Sequence, residues 1–157
     1  MAAGGGTGRV LAIDWGQRRF GVAVSDPTGL IAQPLTTLTR RPKQRAPVAA
    51  AAALAAEHGV TAIVVGLPLT AEGEEGPAAR EARAFGDALA ARSKLPVHFQ
   101  DERMTTAHAI KSARRAGVKD ADSRARIDQM AAVGILQAWL DRQVAQTHRR
   151  TDAQARE

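Results

Sequence analysis

The chain has no cysteine in its 157 residues, which excludes disulfides and thiolate-held metals and permits a reducing compartment. Aromatic residues make up 3% against 45% hydrophobic residues overall, so a core has to be built from Leu, Ile, Val and Ala. Long apolar runs are also missing. The longest, Val48 to Ala56, is mostly alanine and far shorter than the roughly 20 residues that span a bilayer. The first residues, MAAGGGTG, carry neither the basic start nor the apolar stretch of a secretory signal. A cytoplasmic protein with no membrane partner is expected. The four histidines, at 58, 98, 108 and 148, show no ligand spacing, and zinc is not expected.

What the chain does have is positive charge. Lys and Arg number 22 against 16 Asp and Glu, a formal net charge of +6 with a sequence pI near 10.9. Such a balance favours a polyanionic partner. Between Arg103 and Arg126 seven basic residues stand against Asp120 and Asp122, so this one short stretch carries most of the excess. Arginine supplies most of it, and its planar fork suits bidentate contact with phosphate. The alternative is a solvated helical face, because no aromatic residues interleave the run.

The pattern along the chain changes type in a regular order. Residues 1–8 and 142–157 read as flexible tails around a single domain at 9–141. Val10 to Ile13 reads as a buried strand and Phe20 to Val24 as its hairpin partner. A third strand fits Leu30 to Leu38, at an edge because of Pro34. Gln44 to His58 reads as a helix closed by Gly59. A strand at Thr61 to Val65, a helix at Pro77 to Arg92 and a strand at Val97 to Gln100 follow. Two helices close the domain, one from near Thr105 to Gly117 and one from about Ser123 to Asp141. The order β-β-β-α-β-α-β-α-α is that of an antiparallel hairpin feeding a parallel βαβαβ half. The expected fold is therefore α/β and ribonuclease H-like, a five-stranded mixed sheet flanked by helices.

Three acids stand out against that order. Asp14 follows the first strand directly and has Gly16 beside it, a setting in which a carboxylate projects from a strand end while a phosphate approaches the backbone. An ordinary turn is the plainer reading. Asp101 and Glu102 close the last strand, where two adjacent carboxylates repel unless a cation offsets them. Thr105 or Thr106 is expected to cap the helix that follows, and Arg103 either clamps a phosphate or pairs with one of the acids. Asp128 lies within about 40° of Ala132, Ile135 and Trp139 on a helical projection. A carboxylate in the middle of an apolar arc needs a cation or an arginine partner.

In a sheet that places the last strand two positions from the first, the two strand ends lie roughly 10 Å apart. Carboxylates can close over that gap on one or two Mg²⁺ or Mn²⁺ ions. That is the apparatus of two-metal phosphodiester hydrolysis, which needs no nucleophilic side chain. Asp14, Glu102 and Asp128 are the expected metal-binding acids. Glu102 is preferred to Asp101 on reach, with Asp101 kept as a catalytic candidate. Arg19, Arg103, Lys111, Arg114 and Arg115 are the candidate nucleic-acid contacts.

The residues Leu11-Ala12-Ile13-Asp14-Trp15-Gly16 with Arg19, Gly21 to Asp26, Val65-Gly66-Leu67-Pro68-Leu69, Glu75-Gly76-Pro77, Asp101-Glu102-Arg103 with Thr105-Thr106, and Asp128 with Ala131-Ala132 and Ile135-Leu136-Gln137 together resemble the YqgF family. This family, also called RuvX-like, comprises pre-16S rRNA nucleases and Holliday-junction-resolvase-like proteins. The resemblance runs in order over about residues 9–141. It implies a ribonuclease H-like fold, divalent-metal nuclease activity, a cytoplasmic location and a part in maturing the 5′ end of 16S ribosomal RNA during ribosome biogenesis. It also implies an older assignment, resolution of four-way DNA junctions in recombination and repair. Trp15 departs from the family's usual Phe, and Asp26 before Pro27 reads equally as a turn acid.

Two other classes compete. Phosphotransferases of the sugar-kinase and actin type use a similar Asp-x-Gly hairpin, but they need two such domains facing a cleft. A nucleic-acid-binding module without catalysis would need only the basic surface and has no use for three acids. Structured RNA or branched DNA would each satisfy the charge, and the oligomeric state is left open.

Overall fold

The computed structural model describes residues 8–115, 117, 118 and 120–155, with the side chains of residues 113–115 outside that description. Ten elements follow one another among the described residues. They are β1 (Val10–Asp14), β2 (Arg19–Ser25), β3 (Ala32–Thr39), α1 (Val48–Glu57), β4 (Ala62–Leu67), α2 (Pro77–Ser93), β5 (Val97–Asp101), a single 3-10 turn at Glu102–Met104, α3 (Ala107–Arg115) and α4 (Ala121–Ala155). One five-stranded sheet has the order β3-β2-β1-β4-β5. The β1–β2 and β2–β3 pairs are antiparallel and the β1–β4 and β4–β5 pairs parallel. This is the expected mixed sheet, with β5 two positions from β1.

Side-chain alternation along the strands divides the core in two. Leu11, Ile13, Phe20, Val22, Ile63 and Val65 face α1 and α2, whose Ala51, Ala55, Ala82, Phe85 and Leu89 cover them. Val10, Ala12, Ala23, Ala62 and Val64 face the other way, under Ala107 of α3 and Ala131, Ala132, Ile135 and Leu136 of α4. With so few aromatics, alanine-rich helices lie close to the sheet. Phe20 of the sheet and Phe85 of α2 pack on that α1/α2 side with 5.4 Å between ring centroids.

Several boundaries differ from the sequence reading. The first helix begins at Val48 rather than Gln44, because Pro47 disfavours helical backbone at the residue before it. β3 is an edge strand with Pro34 at its register shift against β2, where a missing N–H is tolerated. The last helix does not stop at Asp141 but continues to Ala155. Apolar periodicity ends near Leu140, yet the continuation holds Arg, Gln and Ala and no Gly or Pro, so nothing terminates it.

Candidate active site

The strand parity that builds the core also builds the site. Val10 and Ala12 point toward α3 and α4, so Asp14, two residues on, closes the same row. In β5, Val97 and Phe99 belong to the α1/α2 side, which puts Glu102, three residues past Phe99, on the α3/α4 side with Asp14. α4 supplies Asp128 from above that side. All three acids are buried, with relative exposures of 3% for Asp14, 6% for Glu102 and 2% for Asp128.

Two glycines make this approach possible. Gly21 pairs with Asp14 across β1–β2, and a Cβ there would stand 1.9 Å from the carbonyl oxygen of Asp128. The helix backbone therefore rests directly on the strand. On the other side of β1, a Cβ at Gly66 would meet Glu102 Oε1 at 2.8 Å and Ile135 Cδ1 at 2.6 Å. The missing side chain is the space that Glu102 occupies.

Buried carboxylates need compensation, and two cations supply it. The Lys111 ammonium, carried by α3, lies 2.6 Å from Asp14 Oδ1 and donates to both Glu102 oxygens at 2.9 and 3.0 Å. At that distance the ammonium and the Asp14 carboxylate form a short charge-assisted contact. Arg19 Nε donates to Asp128 Oδ2 at 2.7 Å. Burial pushes the Asp14 carboxyl well above the usual carboxylate range; Lys111 opposes the shift and the neighbouring Glu102 charge adds to it. Burial works against the charge on Lys111, but Asp14 and Glu102 outweigh it and hold the ammonium above its ordinary value.

Asp101 goes elsewhere. Its carboxylate accepts from the Arg103 backbone N–H at 2.9 Å and from the Arg103 guanidinium at 2.8 Å, which keeps it below its ordinary pKa. The guanidinium also lies within 3.3 Å of the position a Cβ would take at Gly73, in the loop before α2. Thr105 Oγ1 accepts from Ala107 N at 3.1 Å, the expected cap. Asp26 is a turn acid: it accepts from Leu30 N at 2.9 Å and Ile31 N at 2.8 Å.

Of the expected nucleic-acid contacts, Arg19 and Lys111 are bonded to the acid cluster and Arg103 to Asp101. The side chains of Arg114 and Arg115 lie outside the described residues. The role of Lys111 between two acids was not legible from spacing, because its partner Asp14 is distant in the chain. A cavity of about 440 Å³ opens onto Asp14, Asp128, Lys111 and Arg19, with Trp15, Arg18 and Pro68 on its walls.

A divalent cation fits this chemistry in part. Asp14 and Glu102 already converge on a single cation, the Lys111 ammonium, which occupies the kind of position a metal takes. Asp128 is turned to Arg19, and among the described residues no three acids or histidines close into a ready metal site. No helix among the described residues is long and apolar enough to cross a membrane.

Fold and site define a ribonuclease H-like α/β protein with a buried acid cluster gathered from the ends of β1 and β5 and from α4. The chain belongs to the RuvX family: the family model described as "RuvX: Holliday junction resolvase" matches residues 8–142. A protein of Chloroflexus aggregans named "Putative pre-16S rRNA nuclease" is 50% identical over 132 residues, 84% of this chain and 92% of that protein. One of the same name from Mycobacterium tuberculosis is 47% identical over 141 residues, 89% of this chain and 82% of the relative. Among solved structures, RuvC of T. thermophilus in complex with Holliday junction substrate matches with a TM-score of 0.56 at 16% identity, covering 87% of this chain and 96% of that one. This last likeness is one of fold.

Proposed function

We propose that this chain is a divalent-metal-dependent endonuclease that hydrolyses phosphodiester bonds, cutting at the 5′ end of pre-16S ribosomal RNA in the cytoplasm. The observation that carries the reading is the gathering of Asp14, Glu102 and Asp128 on one face, beside an open cavity, in a chain whose relatives are named as nucleases of that RNA. Asp14, Glu102 and Asp128 would hold one or two Mg²⁺ or Mn²⁺ ions, for which hard carboxylate oxygens are the suited donors. When bound, such ions supply an activated water and stabilise charge on the leaving oxygen.

The chain's own residues do the rest. Gly21 and Gly66 fix how closely the acids approach. Lys111 and Arg19 hold the acids in place and offset their charge. Trp15, on the cavity wall, limits the water around them. Asp101 acts through Arg103, anchoring the turn that delivers Glu102. Arg114 and Arg115, at the end of α3, contact backbone phosphates.

The test is cleavage by metal-stripped protein with Mg²⁺ or Mn²⁺ restored, on an RNA carrying the 16S precursor 5′ leader, on unstructured single-stranded RNA and on a four-way DNA junction. Metal-dependent cutting of the precursor is expected. Cutting of the junction alone would replace this reading with resolvase activity, and no cutting of any substrate would remove the nuclease assignment.

A further inference from the structure

With Arg19, Lys111 and Arg103 bonded to carboxylates, other cations are left to meet a polyanion. Arg18, Arg41 and Lys43 are exposed, and none of them makes an ion pair among the described residues. They come from two segments distant in sequence, the β1–β2 turn and the stretch after β3. Together with Gln17, Arg40 and Glu81 they line a cavity of about 400 Å³. Gln17 and Arg18 also line the cavity that holds Asp14, so the basic hollow continues from the mouth of the acid site.

The arrangement is built into the fold. Arg40 donates its backbone N–H to Arg18 O at 2.9 Å and its Nε to Gln17 O at 2.5 Å. Its guanidinium carbon lies 5.6 Å from the Phe20 ring centroid and 5.9 Å from that of Trp15. Arg40 is thus a clasp that fixes the two segments side by side. Gln44 N closes a turn onto Arg41 O at 3.1 Å, and within it Lys43 takes a φ of 68°, a left-handed conformation uncommon outside glycine and asparagine. The turn holds Arg41 and Lys43 at the hollow despite this backbone strain. Glu81 is the one acid on its wall among the described residues.

We infer that Arg18, Arg41 and Lys43 form a phosphate-binding groove that carries the nucleic-acid backbone out of the acid site along the β1–β2 turn and the segment after β3. Its three cations lie outside the basic stretch between Arg103 and Arg126 in sequence. The occupant is a phosphodiester backbone, a chemistry that RNA and DNA share. The groove deepens the nuclease reading and rests on it for the identity of the substrate.

The test is binding in EDTA, where hydrolysis cannot interfere, of a short fluorescent duplex RNA and of a four-way DNA junction across a salt series. The variant is Arg18→Gln with Arg41→Gln and Lys43→Asn, the asparagine chosen because it accepts the left-handed backbone. Arg149→Gln with Arg150→Gln, on the exposed end of α4, removes positive charge far from the groove. The groove variant should weaken binding and flatten the slope of log affinity against log salt by about one per cation removed, roughly three in all. The α4 variant should keep the wild-type slope.

Loss on the RNA alone, on the junction alone or on both supports the groove and names its occupant. A groove variant with the wild-type slope, or an α4 variant that flattens it equally per charge, overturns the proposal. Cleavage by wild-type protein is scored separately. Salt-dependent binding without cleavage would remove the nuclease reading and leave the groove standing, and cleavage with an unaltered groove variant would do the reverse.

Discussion

Gly21 and Asp128 are in contact through the backbone: a single added carbon at Gly21 would overlap the Asp128 carbonyl at 1.9 Å. Because Gly21 is also the cross-strand partner of Asp14, one missing side chain sets the spacing of two acids. Gly21→Ala has to move the helix rather than a side chain. It should lose roughly 2–3 kcal/mol of stability in urea melts and most of the cleavage activity. A stable, active Gly21→Ala would show that the helix position does not govern the site.

Gly66→Ala offers a contrast. The atoms it would meet are the ends of the Glu102 and Ile135 side chains, which can rotate away, so the fold should give up only about 1 kcal/mol while Glu102 is displaced. The expected result is a melting temperature near that of the wild type with a large fall in activity. Equal effects on both would mean that Glu102 does not need this position.

Asp101 and Glu102 should separate cleanly. Glu102→Gln removes one of the acids around Lys111 and should slow single-turnover cleavage by at least about 100-fold. Asp101→Asn loosens Arg103 and should retain most of the rate. The reverse pattern would transfer the role to Asp101.

The pH dependence of stability follows from Asp14. Its folded pKa is raised above the unfolded value, so its contribution is fully present below the unfolded pKa and lost as pH rises through the folded one. At neutral pH, without metal, ionising Asp14 therefore destabilises the fold. Asp14→Asn should melt at or above the wild-type temperature in EDTA at pH 7, with the advantage shrinking toward pH 4. A variant that melts well below wild type at pH 7 would show that the Lys111 pairing outweighs burial.

Much of this was legible in the sequence. The order of the elements followed from apolar periodicity and stop signals, and the place of Asp128 from its spacing against Ile135 and Trp139. The separation of Asp101 from Glu102 was legible too, but for a reason other than reach. Val97 and Phe99 mark the α1/α2 face of β5, and strand alternation then assigns Glu102 to the opposite face. What stayed hidden depends on contacts across the chain. Nothing local says that Lys111 will lie between Asp14 and Glu102 or that Arg19 will bond Asp128. The turn at Lys43 beside Arg18 likewise exists only once β2 and β3 have paired. The length of α4 was missed because its exposed half has helix propensity but no apolar stripe.

The central claim is that Asp14, Glu102 and Asp128 form one metal-dependent hydrolytic site. Its most direct test is Mn²⁺ binding by calorimetry on metal-stripped wild type, Asp14→Asn and Asp128→Asn, with single-turnover cleavage of the precursor RNA measured on the same samples. Wild type should bind Mn²⁺ and cut, while each variant should lose both and stay folded. Wild-type cleavage rates in both variants, or cleavage by wild type that persists in EDTA, would contradict the account.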